Sequence, residues 1–190
     1  MIRALYIGRF QPFHIGHLDV VQHIVAAPDI DELIIAVGSS QYNHQNKSPV
    51  APWCVNPFTF EEREEMIIGS IDGVLQKPAH IVALPDYHNY PKWFHHIVTE
   101  LPEFGVLYTV DSKEKAFFEQ QGRTVRTFPV RFDFHAGILR ERMQNGGEYR
   151  SALTPKSLEV CDRIGAEERL KDLYARDIAE HIAKTKMRPL

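Results

Sequence analysis

Cysteine is scarce: Cys54 and Cys161 are the only two in 190 residues. A disulfide framework is thereby excluded, and a reducing compartment, the cytoplasm, is the expected location. Long apolar runs are missing as well. Leu33-Ile34-Ile35-Ala36-Val37 is a strand's length and far short of a bilayer span, so no membrane association is expected. The first residues, Met1 to Gly8, run straight into a strand pattern without a signal-peptide core or a small-residue cleavage site. Neither charge dominates, with 22 Lys and Arg against 25 Asp and Glu, a net charge of −3. That balance argues against a general nucleic-acid binder driven by counterion release. Internal repeats and low-complexity segments are also absent. The one generous count is histidine, at ten.

The pattern of apolar runs predicts an α/β chain. Ala4 to Ile7 reads as a buried parallel strand, a helix follows over about 16–26, and Glu32 to Val37 forms a second strand. Strand, crossover helix and parallel strand make a right-handed βαβ unit. Thr59 and Glu62 form a capping box that opens another helix. Strands over 80–84, 106–110 and 124–130 alternate with helices over 93–101 and 113–121. Such alternation predicts a Rossmann-like open parallel sheet with helices on both faces. The expected division is an α/β core over 1–135 and helices over 136–190 packed on the same domain. Those helices are expected at 138–145, 155–164 and 166–184, with fraying in the last few residues. The segment 41–57, rich in Asn, Gln, Ser and Pro, is long for a loop in a compact domain and is read as functional.

The chemistry concentrates in Gly8-Arg9-Phe10-Gln11-Pro12-Phe13-His14-Ile15-Gly16-His17, where strand one ends and the first helix begins. In open α/β folds ligands bind at this edge. Histidines three apart share one helix face, and a helix N-terminus offers unpaired N–H groups and partial positive charge to a phosphate. Surface capping and a zinc pair are the competing readings of two such histidines. No third metal ligand stands at a useful spacing, so no metal site is assigned. Arg9 and two glycines at a β–α junction favour a phosphate.

This segment resembles the (His/Thr)-x-Gly-His signature of the nucleotidyltransferases, here His14-Ile15-Gly16-His17. With Gly8-Arg9-Phe10-Gln11-Pro12-Phe13 before it, it looks like the nicotinamide mononucleotide adenylyltransferases of the archaeal type. The likeness continues in order through Gly38-Ser39-Ser40-Gln41, Asn56-Pro57-Phe58-Thr59 with Glu62-Arg63, Leu84-Pro85-Asp86 with Trp93, Leu139-Arg140-Glu141-Arg142-Met143 and Thr154-Pro155-Lys156-Ser157. It implies transfer of the adenylyl group of ATP to nicotinamide mononucleotide, giving NAD and pyrophosphate. By resemblance, His14, His17 and Arg140 are the catalytic candidates. Gly8, Arg9, Phe10, Gly16, Arg63, His135 and Gly137 are the ATP-binding candidates. Gln11, Asp86 and Trp93 are placed against the acceptor, with the Trp93 indole available to stack on the pyridinium ring. Mg²⁺ is implied with ATP, held by substrate oxygens, and a homo-oligomer is implied as well. His23, His80, His88 and His181 are read as structural or solvated, and the adjacent His95 and His96 cannot both face one site.

Three departures from the family pattern stand out. A Ser-x-Thr stretch expected before the last triphosphate arginine is replaced by His135 and Gly137, removing two hydroxyl donors; His135 is a candidate replacement for one. A Gly-Asn pair after strand four is replaced by Val110-Asp111, which sets Asp111 against the ribose or nicotinamide or else signals a different acceptor. The third is the loop near 45–55, a candidate lid beside the cleft. Two alternatives therefore accompany the leading reading. One is a nucleotidyltransferase using another phosphorylated acceptor or CTP as donor, and the other is a nucleotide-binding sensor of weak activity.

Overall fold

The computed structural model describes residues 1–186. Expected fraying of the last few residues lies outside that range. Five parallel strands form one sheet in the order β3-β2-β1-β4-β5: β1 Arg3–Gly8, β2 Glu32–Gly38, β3 Ala79–Leu84, β4 Val106–Tyr108 and β5 Val125–Arg126. Helices α1 Ile15–Ala26, α2 Phe60–Ile71, α3 Tyr90–Glu100 and α4 Ser112–Gln120 connect them. Helices α5 Ala136–Asn145, α6 Pro155–Arg163 and α7 Ala166–Lys186 complete the chain. The architecture is the Rossmann-like α/β sheet that the alternation predicts.

Side-chain period explains the two faces, because successive residues of a strand point to opposite sides. Ala4, Tyr6, Leu33, Ile35 and Val37 pack with Val21 and Ile24 of α1, Met66 of α2, and residues of α5 to α7. Leu5, Ile34 and Ala36 pack on the other side with Ile97 of α3 and Phe118 of α4. Helices thus cover both faces, and the order of connections reverses between β1 and β4. Ligand clefts in open α/β sheets form at such a reversal, beyond the carboxyl ends of the strands.

Element boundaries differ from the sequence reading by up to two residues in places, β4 ending at Tyr108 and α5 starting at Ala136, and by more at two. The strand expected over 124–130 shrinks to Val125–Arg126, because β5 is an edge strand paired only with Leu107 and Tyr108. Beyond it Pro129 has no N–H to give a ladder, and Phe128 turns its ring edge-on to Tyr6 at 5.8 Å. Helix α3 starts at Tyr90 rather than Trp93, since the Asn89 side chain accepts from the Lys92 N–H and Pro91 fits the first turn.

Candidate active site

The β1–α1 loop begins with a forced turn. Phe10 takes a left-handed backbone, φ 51°, and its buried ring folds back onto the preceding glycine. A Cβ at Gly8 would lie 2.7 Å from that ring, so only glycine fits there. Phe10 then packs edge-on to Tyr6 at 5.5 Å and to His17 at 4.9 Å. Its side chain is buried as scaffold beneath the loop.

Gln11 and Arg63 are likewise engaged with the protein itself. Gln11 is 1% exposed and clamps Phe58, donating to its carbonyl at 3.1 Å and accepting from its N–H at 2.9 Å. Arg63 is fully buried and directs its guanidinium at five carbonyls. Nε donates to Thr59 at 3.0 Å, Nη1 to Arg9 at 2.9 Å and Gly38 at 2.8 Å, and Nη2 to Ser39 and Ser40 at 3.4 Å. All five Arg63 donors are thus spent on carbonyls, leaving none for the triphosphate expected of it, whereas the Gln11 amide keeps one N–H beyond its bond to Phe58. Arg63 instead ties the start of α2 to the carboxyl ends of β1 and β2.

The two signature histidines are stacked, ring centroids 3.6 Å apart. His14 is the N-cap residue of α1, and its backbone N–H donates to His17 Nδ1 at 3.3 Å. An acceptor at Nδ1 leaves the proton of a neutral imidazole on Nε2, so His17 presents a donor there. His14 is 5% exposed, and both of its ring nitrogens are buried without a hydrogen-bond partner among the described residues. Burial, and then the neighbouring His135, pushes the His14 pKa down to about 4; burial followed by His14 pushes His17 well below its ordinary value. Both rings are therefore neutral donors at pH 7. Buried polar atoms nearly always find partners, and the two His14 ring nitrogens are exceptions among the described residues.

Helix α5 repeats the arrangement of α1. His135 is its N-cap residue in the same extended backbone as His14, with φ −138° against −142°. Its Nδ1 accepts from the Gly137 N–H at 3.1 Å, again leaving a proton on Nε2. Both caps are followed two residues later by glycine, where a Cβ would lie 3.1 Å from the His14 ring and 2.8 Å from the His135 ring. His135 and Gly137, the departure from Ser-x-Thr, are thus a matched pair in which the glycine makes room for the capping imidazole. One consequence departs from the sequence reading: the Gly137 N–H is taken by His135 and is not free for a phosphate. Arg140, 8% exposed on the same helix, donates to the Gln11 carbonyl at 2.6 Å. Burial, then the nearby Arg9, pushes its pKa down to about 10, so it stays charged at pH 7.

A cleft of about 520 Å³ opens at the carboxyl ends of β1 and β2, and His14, His17, His135 and Arg140 are not among its lining residues. Gly8 and the exposed Arg9 line it from β1, and Gly38 and Ser39 from β2. Asp86 and Trp93 face it as expected neighbours, with the Ser39 hydroxyl donating to Asp86 at 3.4 Å and the Gln41 amide to its carbonyl at 2.7 Å. Asp111 and Glu114 line the remaining wall. Four polar or aromatic lining residues were not among the site residues read from the sequence: His88, Asn89, Tyr90 and Glu114. Tyr90 stands three positions before Trp93 and Glu114 three after Asp111, so helical spacing was the available signal. His88, read as structural or solvated, donates its N–H to Asp86 at 2.9 Å and meets the Tyr42 hydroxyl at 3.0 Å.

A cytidylyltransferase-like family model matches residues 5–77, the span from β1 to the approach of β3. The chain is 34% identical over 179 residues to the nicotinamide-nucleotide adenylyltransferase of Methanolobus tindarius, an alignment covering 93% of this chain and 97% of that protein. It is 31% identical over 183 residues to the same-named protein of Archaeoglobus fulgidus, covering 93% and 99%. This chain belongs to the nicotinamide-nucleotide adenylyltransferase family. A further adenylyltransferase, from Pyrococcus abyssi, is 35% identical over 176 residues, covering 91% of this chain and 89% of that protein. Among solved structures, a bifunctional NMN adenylyltransferase/ADP ribose pyrophosphatase from Francisella tularensis superposes with TM-score 0.74 at 21% identity. It covers 100% of this chain, and this chain spans 57% of its length, a likeness of fold.

Proposed function

We propose that this adenylyltransferase-family protein joins ATP and nicotinamide mononucleotide into NAD with release of pyrophosphate. The observation that carries the reading is the buried, unpartnered imidazole of His14 stacked on His17 at a helix start, in a chain related throughout its length to named adenylyltransferases. A 5′-phosphate is already an anionic nucleophile, so no activated serine or cysteine is needed. One of its oxygens forms a bond to the α-phosphorus while the bond from that phosphorus to the bridging oxygen of pyrophosphate breaks. The protein's part is to hold two anions together and to neutralise the leaving group. His17 Nε2–H and the His14 ring supply donors at the α1 start. His135 Nε2–H supplies one at the α5 start, and Arg9 and Arg140 supply fixed positive charge. Asp86 and Trp93 belong to the acceptor side of the cleft.

Mg²⁺ enters this reading as part of the ATP substrate. No group of three or more His, Cys, Asp or Glu able to hold a metal ion exists among the described residues, and no protein ligand is assigned to it. A homo-oligomer in the cytoplasm completes the proposal. No helix among the described residues is long and apolar enough to cross a membrane. The test is pyrophosphate release with MgATP and nicotinamide mononucleotide, against acceptor-free and CTP controls, with light scattering for the assembly. Release that depends on both substrates supports the reading, and release with CTP in place of ATP would overturn the choice of donor.

A further inference from the structure

The cleft wall is more acidic than a site for a doubly charged phosphate ester needs. Asp86, Asp111 and Glu114 all line it, and of its lining residues only Arg9 carries a fixed positive charge. Asp111 caps α4: its Oδ1 accepts from the N–H groups of Lys113 at 2.9 Å and Glu114 at 2.8 Å, while Oδ2 has no partner among the described residues. Glu114 stands one turn further along, partly buried. Burial and then Asp111 raise its pKa, a sign that its charge lacks a counterion. Tyr90 lines the same cleft as all three carboxylates, and its phenol is raised as well, by burial and then by Asp111, Glu114 and Asp86. Trp93 lies one helical turn from Tyr90, ring centroids 5.8 Å apart. An organic cation is a charge that suits an acidic wall beside an indole.

We infer that Asp111 and Glu114 set the choice of acceptor, admitting the amidated mononucleotide and rejecting its deamidated, carboxylate-bearing counterpart. This inference rests on the adenylyl-transfer reading. Both mononucleotides carry the pyridinium cation, which an acidic wall beside Trp93 attracts equally. They differ in the ring substituent: a neutral carboxamide has two N–H donors for a carboxylate to accept, whereas a carboxylate has none and adds a like charge. Specificity of this kind comes from repulsion of the wrong ligand as much as from attraction of the right one.

The experiment compares kcat/KM for nicotinamide mononucleotide and nicotinic acid mononucleotide in the wild type, Asp111→Asn, Glu114→Gln and the double variant. Both changes keep shape, and asparagine still caps a helix. The wild type is expected to favour the amide by roughly 30-fold or more, and the double variant to lose about tenfold of that ratio, as two like charges near one group allow. A wild type that uses both acceptors equally, or a ratio unmoved in the double variant, overturns the inference. Calorimetric binding of each mononucleotide without ATP reads the same ratio independently of turnover. Absent pyrophosphate release with either acceptor counts against the adenylyl-transfer reading. A binding preference for the amide that the double variant loses would still uphold the role of the wall, and equal affinities would overturn it.

Discussion

His14 is a base held where its charged form is poorly solvated, and that has a measurable cost in acid. Its pKa is pushed down to about 4, against an ordinary value of 6.5 in the unfolded chain. Between those values the unfolded state holds a proton that the folded state does not, so stability falls as pH drops from about 6.5 towards 4. For His14 alone the loss by pH 4.5 is roughly 2–3 kcal/mol. His14→Gln is expected to remove that share, giving a shallower decline in urea-melt stability between pH 7 and 4.5; an unchanged slope would mean the ring is not buried neutral. Gly137 poses the complementary test. Gly137→Ala would put a methyl 2.8 Å from the His135 ring and expel it from the α5 cap. The loss of one placed phosphate donor should raise KM for ATP by about tenfold, since hydrogen bonds to charged groups are worth about 1.5–3 kcal/mol. KM for the mononucleotide should move far less in the same steady-state assay.

At the scale of elements, Arg63 joins three of them through a side chain that no water reaches. Lysine has three donors where arginine has five, and it has no planar fork to spread over carbonyls from β1, β2 and α2. Arg63→Lys should therefore cost about 2–4 kcal/mol, seen as a lower urea midpoint. A variant of unaltered stability with a raised KM for ATP would restore Arg63 as a phosphate ligand. Gln11, Phe10 and Arg63 show where sequence reading stops. Their positions in the family pattern are legible, but the pattern does not say whether a donor faces a ligand or is consumed by a carbonyl at the loop's own base. The sheet was legible because strand period and helix caps are local: Thr59 with Glu62, and Thr154 with Pro155, act within one turn. The short β5 was not, since edge pairing depends on a partner elsewhere, whereas the Asn89 cap of α3 is as local as the other two and was passed over. Likewise the matched His135 and Gly137 read as lost hydroxyls until the α5 start came into view.

Across the whole molecule, the loop over 41–57 is held by the far end of the chain. Asp177 of α7 accepts from the backbone N–H groups of Trp53 at 2.8 Å and Cys54 at 3.0 Å, and Glu180 accepts from the Trp53 indole at 2.8 Å and pairs with Lys47. Arg176 lies over the same indole, 5.7 Å from its centroid. Helix α7 is itself anchored by Leu170 and Leu173 in the core, so the sheet fixes α7 and α7 fixes the loop. Asp177→Ala deletes two charge-assisted bonds at the loop while leaving the anchoring leucines untouched. If those bonds hold the loop down, its open population rises by about 10- to 100-fold, at roughly 1.4 kcal/mol per decade. Limited proteolysis should then nick residues 41–57 at least tenfold faster, while the urea m-value is unchanged because the core is intact. Equal cleavage rates would mean that Glu180, Lys47 and the indole contacts suffice, and that the latch does not depend on Asp177.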